Sequence, residues 1–109
     1  MNKNYADRFK GYTFGVGWTG SPPFGPHNNA VDVTLLTRDG QEYSANFVTQ
    51  DFLRFIFEKN KRTGECANGA YFCMPGMIVV ERIDDKAVRD TIDDLIRNSD
   101  LEEYFRKMD

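Results

Sequence analysis

A single histidine and two cysteines are all that the 109 residues supply toward metal binding or thiol and imidazole catalysis. A structural zinc site is normally tetrahedral, and His27 is remote in sequence from Cys66 and Cys73, so no metal centre is expected. No loop of EF-hand spacing is present either, which leaves the carboxylates without a calcium frame. The chain also lacks an apolar run of membrane-spanning length. Residues Met1 to Lys10 are polar and charged, with no apolar h-region. These absences predict no membrane partner and a cytoplasmic location, where the thiols of Cys66 and Cys73 stay reduced. Internal repeats and low-complexity tracts are missing too, which excludes solenoids and linkers.

One stretch imitates a cofactor loop. Gly15-Val16-Gly17-Trp18-Thr19-Gly20 fits GxGxxG, but Ser21-Pro22-Pro23-Phe24-Gly25-Pro26 follows it. In a dinucleotide fold the third glycine leads into a helix whose free N–H groups and dipole hold the pyrophosphate. Consecutive prolines lack those N–H groups and push the preceding residues toward extended geometry. No cofactor is therefore expected. Tyr12, Phe14, Val16 and Trp18 alternate with Thr13, Gly15 and Gly17, which predicts a strand instead. Its glycines would admit a close backbone or helix, or mark a bulge.

What the chain does contain is apolar bulk: 40% hydrophobic residues, nine of them Phe, enough for one core in a single domain over residues 1–109. Ala30 to Thr37 and Glu42 to Val48 alternate with period two around Asp39-Gly40, predicting an antiparallel hairpin closed by a type I′ turn. Thr49 or Asp51 caps a helix to about Arg62 that Gly64 terminates, with Phe52, Leu53, Phe55, Ile56 and Phe57 placed to cover the sheet. Ala70 to Met74, Pro75-Gly76 and Met77 to Ile83 read as a second hairpin, with Cys73 in the core. Met77-Ile78-Val79-Val80 is apolar toward both faces, the pattern of an inner strand. Asp84 caps a helix to Arg97, and Ser99-Asp100-Leu101-Glu102 is a capping box that turns Leu101, Tyr104, Phe105 and Met108 inward. The order β-β-β-α-β-β-α-α predicts an α+β fold with an antiparallel sheet of about five strands and helices mainly on one face.

Charge is uneven along the chain. Residues 84 to 109 carry nine acids against five bases, while the whole chain has a net charge of -3. An acidic C-terminal segment disfavours nucleic acid and suits a basic protein surface. Taken singly, each of these charges reads as part of a solvated, ion-paired helix face. Asp90 and Asp94 stand one helical turn apart, but exposed carboxylates stay ionised, whereas acid–base work needs burial to separate their pKa values. His27 shows no fixed nucleophile or orienting acid, so no enzyme is expected. The proline-stiffened loop from Trp18 to Asn29 bears Trp18 and Phe24, which serve either as recognition anchors or as a closure of the core.

Tyr12 to Trp18, Gly25-Pro26-His27-Asn28-Asn29, the Tyr71-Phe72 pair before Met77-Ile78-Val79-Val80, and the last helix rich in Ile, Leu and Asp give the chain a family likeness. It resembles the small bacterial immunity proteins of contact-dependent growth inhibition and related polymorphic toxin systems. The resemblance implies a cytosolic inhibitor that binds a cognate toxin domain, commonly a basic nuclease. On charge grounds the contact with such a partner is expected at Asp90, Asp93 and Asp94, with Trp18, Phe24 and His27 as a second patch. An interaction or regulatory module without a toxin partner, and a small enzyme pairing His27 with a cysteine, stay open as alternatives.

Overall fold

A short helix, α1 (Lys3–Arg8), opens the computed structural model, which describes residues 3–18 and 30–109. Period-two alternation then gives three strands, β1 (Thr13–Trp18), β2 (Ala30–Leu36) and β3 (Glu42–Thr49). They pair antiparallel in chain order, Val16 opposite Val33 and Val33 opposite Ala45. Val31, Val33, Leu35, Tyr43, Ala45 and Phe47 share one buried face. A one-residue slip would turn all of them to solvent, so burial sets the register.

The glycines of the GxGxxG stretch, Gly15 and Gly17, lie inside β1. A Cβ added at Gly15 would meet no described atom within 4 Å, and one at Gly17 would meet only Asp32, at 3.7 Å. The expected close neighbour is therefore not there among the described residues. The β2–β3 hairpin forms as expected but with a different turn. Gly40 N–H donates to the Thr37 carbonyl at 3.0 Å and Thr37 N–H to that of Gln41 at 2.9 Å. Only Gly40 has positive φ, at 91°, whereas a type I′ turn needs it at both central residues. The loop is thus a three-residue connection with glycine in the left-handed position.

Thr49 Oγ1 accepts the Phe52 N–H at 3.2 Å and starts α2 (Gln50–Thr63). Gly64, at φ 85°, ends it with its N–H on the Asn60 carbonyl at 2.8 Å. The next turn, α3 (Glu65–Gly69), has left-handed backbone at Cys66, Ala67 and Asn68. Both ends of α2 stand where the sequence predicts them, but its packing differs. None of Phe52, Leu53, Phe55, Ile56 or Phe57 belongs to the buried core. Phe52 packs instead on Phe55 and Phe72, with ring centroids 6.3 Å apart in both pairs.

After α3 the expected second hairpin does not form. Residues 70–74 are irregular, which leaves Cys73 exposed rather than in the core. Met77–Val80 forms β4, parallel to β3 with Ile78 opposite Phe47. A strand that returns after a helical crossover runs parallel to the strand before it, and here α2 and α3 are that crossover. Asn46 fastens the return: its Nδ2 donates to the Pro75 carbonyl at 2.7 Å and the Gly76 carbonyl accepts its N–H at 2.9 Å. Among the described residues β4 pairs with β3 alone, so it is an edge strand and not the expected inner one.

Asp84 Oδ1 accepts the Ala87 N–H at 2.7 Å and caps α4 (Asp85–Arg97), which buries Val88 and Ile92. The capping box ahead of α5 (Leu101–Tyr104) is not made, because Ser99 turns to φ 60° and the Asp100 side chain makes no cap bond. Leu101 and Phe105 point inward, while Tyr104 and Met108 are exposed. The chain ends in β5 (Arg106–Met108), antiparallel to the start of β3, and Met108 lies on this strand.

The fold is α+β, with a five-stranded sheet that is antiparallel in three of its four pairings. Phe9, Val88, Ile92, Leu101 and Phe105 close over its buried face. The Phe105 ring meets Phe47 edge-on at 6.0 Å, and Phe9 meets Tyr43 at 5.5 Å. Among the described residues no helix is long and apolar enough to cross a membrane.

Candidate functional site

Helical periodicity in α4 turns Val88 and Ile92 toward the sheet and leaves Asp90, Asp93 and Asp94 exposed on the outer side. Each of the three is engaged. Asp90 Oδ2 lies 2.6 Å from Lys86 Nζ, one turn earlier. Asp94 takes the Arg97 guanidinium and, at 3.3 Å, the Asn98 amide. Asp93 accepts the Tyr12 hydroxyl at 2.6 Å. Exposed ion pairs like the first two contribute roughly 0–1 kcal/mol, so their carboxylates can be recruited by a stronger cation.

The Asp93 contact is of another kind, since it ties α4 to the residue just before β1. Arg89 lies over the same corner, its guanidinium 5.7 Å from the Tyr12 ring centre and 4.9 Å from that of Phe14. Burial, and then the hydrogen bond to Asp93, pushes the Tyr12 phenol well above its ordinary range. The fold thus favours the protonated phenol. Its contribution to stability is full below the ordinary value of 10.0 and is lost as pH rises beyond it. Melting temperatures of the wild type are accordingly expected to fall more steeply above this pH than those of Tyr12→Phe. Parallel curves for the two proteins would contradict the assignment.

Two clefts flank this ridge. One of about 490 Å³ lies between β4 and α4 and is lined in part by Asp90. Another of about 320 Å³ has Phe9, Tyr12, Asp93 and Ile96 in its wall. The outward position of the aspartates follows from helical spacing, which also sets Arg97 within reach of both Asp93 and Asp94; the structure gives it Asp94, because Asp93 is taken by Tyr12. Tyr12, Arg89 and the clefts do not follow from spacing, because the residues that make them are far apart in sequence. A weak signal for Tyr12 existed: an aromatic heading the strand with a hydroxyl that needs a partner when half-buried.

The second expected patch falls largely outside the described residues. Trp18 ends β1 with its backbone opposite Val31, and Phe24 and His27 lie outside the described residues. The thiols of Cys66 and Cys73 are free. Among the described residues no three His, Cys, Asp or Glu side chains converge to hold a metal ion. Comparison with protein-family models, curated proteins and solved structures finds no match, so the functional reading rests on the fold and on the α4 ridge.

Proposed function

We propose that this chain is a cytoplasmic, non-enzymatic immunity protein of a contact-dependent growth inhibition or related polymorphic toxin system. It binds and neutralises a basic toxin domain, of which a nuclease is the kind best suited to an acidic inhibitor. One observation carries the reading: Asp90, Asp93 and Asp94 stand exposed on one helix between two clefts, on the acidic end of the chain. Carboxylates so displayed imitate backbone phosphates and accelerate encounter with a positive surface at low salt. The ion pairs to Lys86 and Arg97 are solvent-exposed and weak, and so do not commit the carboxylates.

The reading requires a large secreted toxin encoded immediately before this chain; the test is co-expression with the C-terminal domain of that toxin, read as growth rescue and as a complex on gel filtration. Reversing Asp90 and Asp94 to lysine is expected to weaken that complex by about tenfold or more and to flatten its salt dependence. Asp93 is left in place in this variant because it also holds Tyr12. Failure of rescue would refute the immunity reading. Unchanged affinity and salt dependence in the double variant would move the contact off α4.

A further inference from the structure

Met77-Ile78-Val79-Val80 is apolar toward both faces, as a strand between two neighbours would be, yet β4 has a neighbour on one side only among the described residues. Proteins normally shield such an edge with charge, proline, a bulge or a covering element. Within Met77–Val80 there is no charge and no proline, and Val79 is 49% exposed. Among the described residues, shortness is what protects it.

Alongside this edge runs the cleft of about 490 Å³, lined by residues 78–82 on one side and by Asp84, Ala87, Asp90 and Thr91 on the other. Its size falls within the range of built ligand sites. A sheet edge beside a helix is the geometry used for strand addition, where main-chain bonds give affinity and the helix supplies a second wall. The opposite edge, β1, is a poorer template, because Gly15 and Gly17 offer no side chain to set a register.

The charges of the cleft select the guest. Both of its cations are taken: Arg82 Nε lies 2.7 Å from Asp84, and Lys86 Nζ 2.6 Å from Asp90. Glu81, in the same lining, forms no ion pair among the described residues. The uncompensated charge is negative.

We infer that the cleft between β4 and α4 receives an extended, basic polypeptide segment of the partner, which joins β4 as a further strand of the sheet. The identity of that partner rests on the immunity reading; the strand addition does not.

The probe is an end-blocked hexapeptide of alternating lysine and valine, added to the full chain and followed by amide hydrogen exchange. Its controls are the glutamate–valine counterpart and a fully N-methylated lysine–valine peptide, which keeps the charge but has no N–H to donate. Slower exchange in residues 78–82 with the first peptide alone is the expected result. Glu81→Lys, on an exposed side chain, is expected to weaken that peptide about threefold to tenfold. Equal protection by the glutamate peptide or the N-methylated one would overturn the inference, as would protection confined to Thr13–Gly17. Protection of residues 78–82 that rises with the concentration of the chain alone would assign the edge to a second copy instead, and so overturn it as well. A rescued toxin complex that leaves residues 78–82 unprotected would sink the cleft and spare the immunity reading. Peptide binding without growth rescue would do the reverse.

Discussion

Phe47→Ala is expected to lower folding stability by about 3–5 kcal/mol, a large share of the 5–15 kcal/mol typical of a domain. Phe47 is fully buried on β3, the strand that carries β2 on one side and both β4 and β5 on the other. Its ring stands edge-on to Phe105, which connects α5 to β5. Truncation therefore removes apolar surface and opens a cavity where the sheet meets its helical cover. Val31 on β2 and Ile78 on β4 flank Phe47 in the sheet and Phe105 covers it, so collapse into the space is restricted. Urea denaturation should show a lower midpoint with an unchanged slope. A loss below about 1 kcal/mol would mean that the core is not centred here.

Gly69→Ala is expected to cost about 2–4 kcal/mol, through two separate terms. Gly69 has φ 80°, a left-handed backbone in which a Cβ meets the following carbonyl. A Cβ there would also lie 2.6 Å from Lys61 Cγ, 3.0 Å from the Phe57 carbonyl oxygen and 3.1 Å from the Lys61 nitrogen. The lysine stem can swing away; the backbone of α2 cannot. The substitution should therefore lift α3 off α2, lower the melting temperature and speed proteolytic nicking between Gly64 and Met74. Gly15→Ala supplies the contrast, since its φ is not positive and no described atom lies within 4 Å of an added Cβ. It should be neutral or stabilising by up to about 1 kcal/mol, as a less flexible unfolded chain allows. Equal losses in the two variants would refute this account of the glycines.

Much of the local structure was legible because it depends on neighbours in the chain. Thr49, Gly64 and Asp84 mark helix ends through caps that need only the next few residues. The β2–β3 hairpin likewise follows from Asp39-Gly40 between alternating strands, although which turn closes it was settled by the φ of Asp39. By contrast α1, at six residues, is too short to carry a long apolar stripe that would announce it. It is held by distant partners: the Tyr5 hydroxyl accepts the Glu102 N–H at 2.9 Å, and Phe9, just past its end, is buried against Tyr43. β5 was equally invisible, being three residues that become a strand because β4 leaves the first half of β3 uncovered.

The candidate site divides along the same line. Spacing of 3.6 residues was enough to place Asp90, Asp93 and Asp94 on one helix, but it set Arg97 one turn from Asp93, whereas the guanidinium takes Asp94. It could not show that Asp93 reaches Tyr12, 81 residues away, or that clefts open on both flanks of the helix.

From its sequence alone this protein was determined to be an α+β chain with an aromatic core, an acidic last quarter and a glycine motif that cannot open a phosphate-binding helix. Tertiary structure decided that Met77–Val80 runs parallel to β3 and stands at an edge beside α4. The reason is physical. Periodicity records which side chains avoid water, whereas strand partners depend on where the crossover returns and how much of β3 is left to pair.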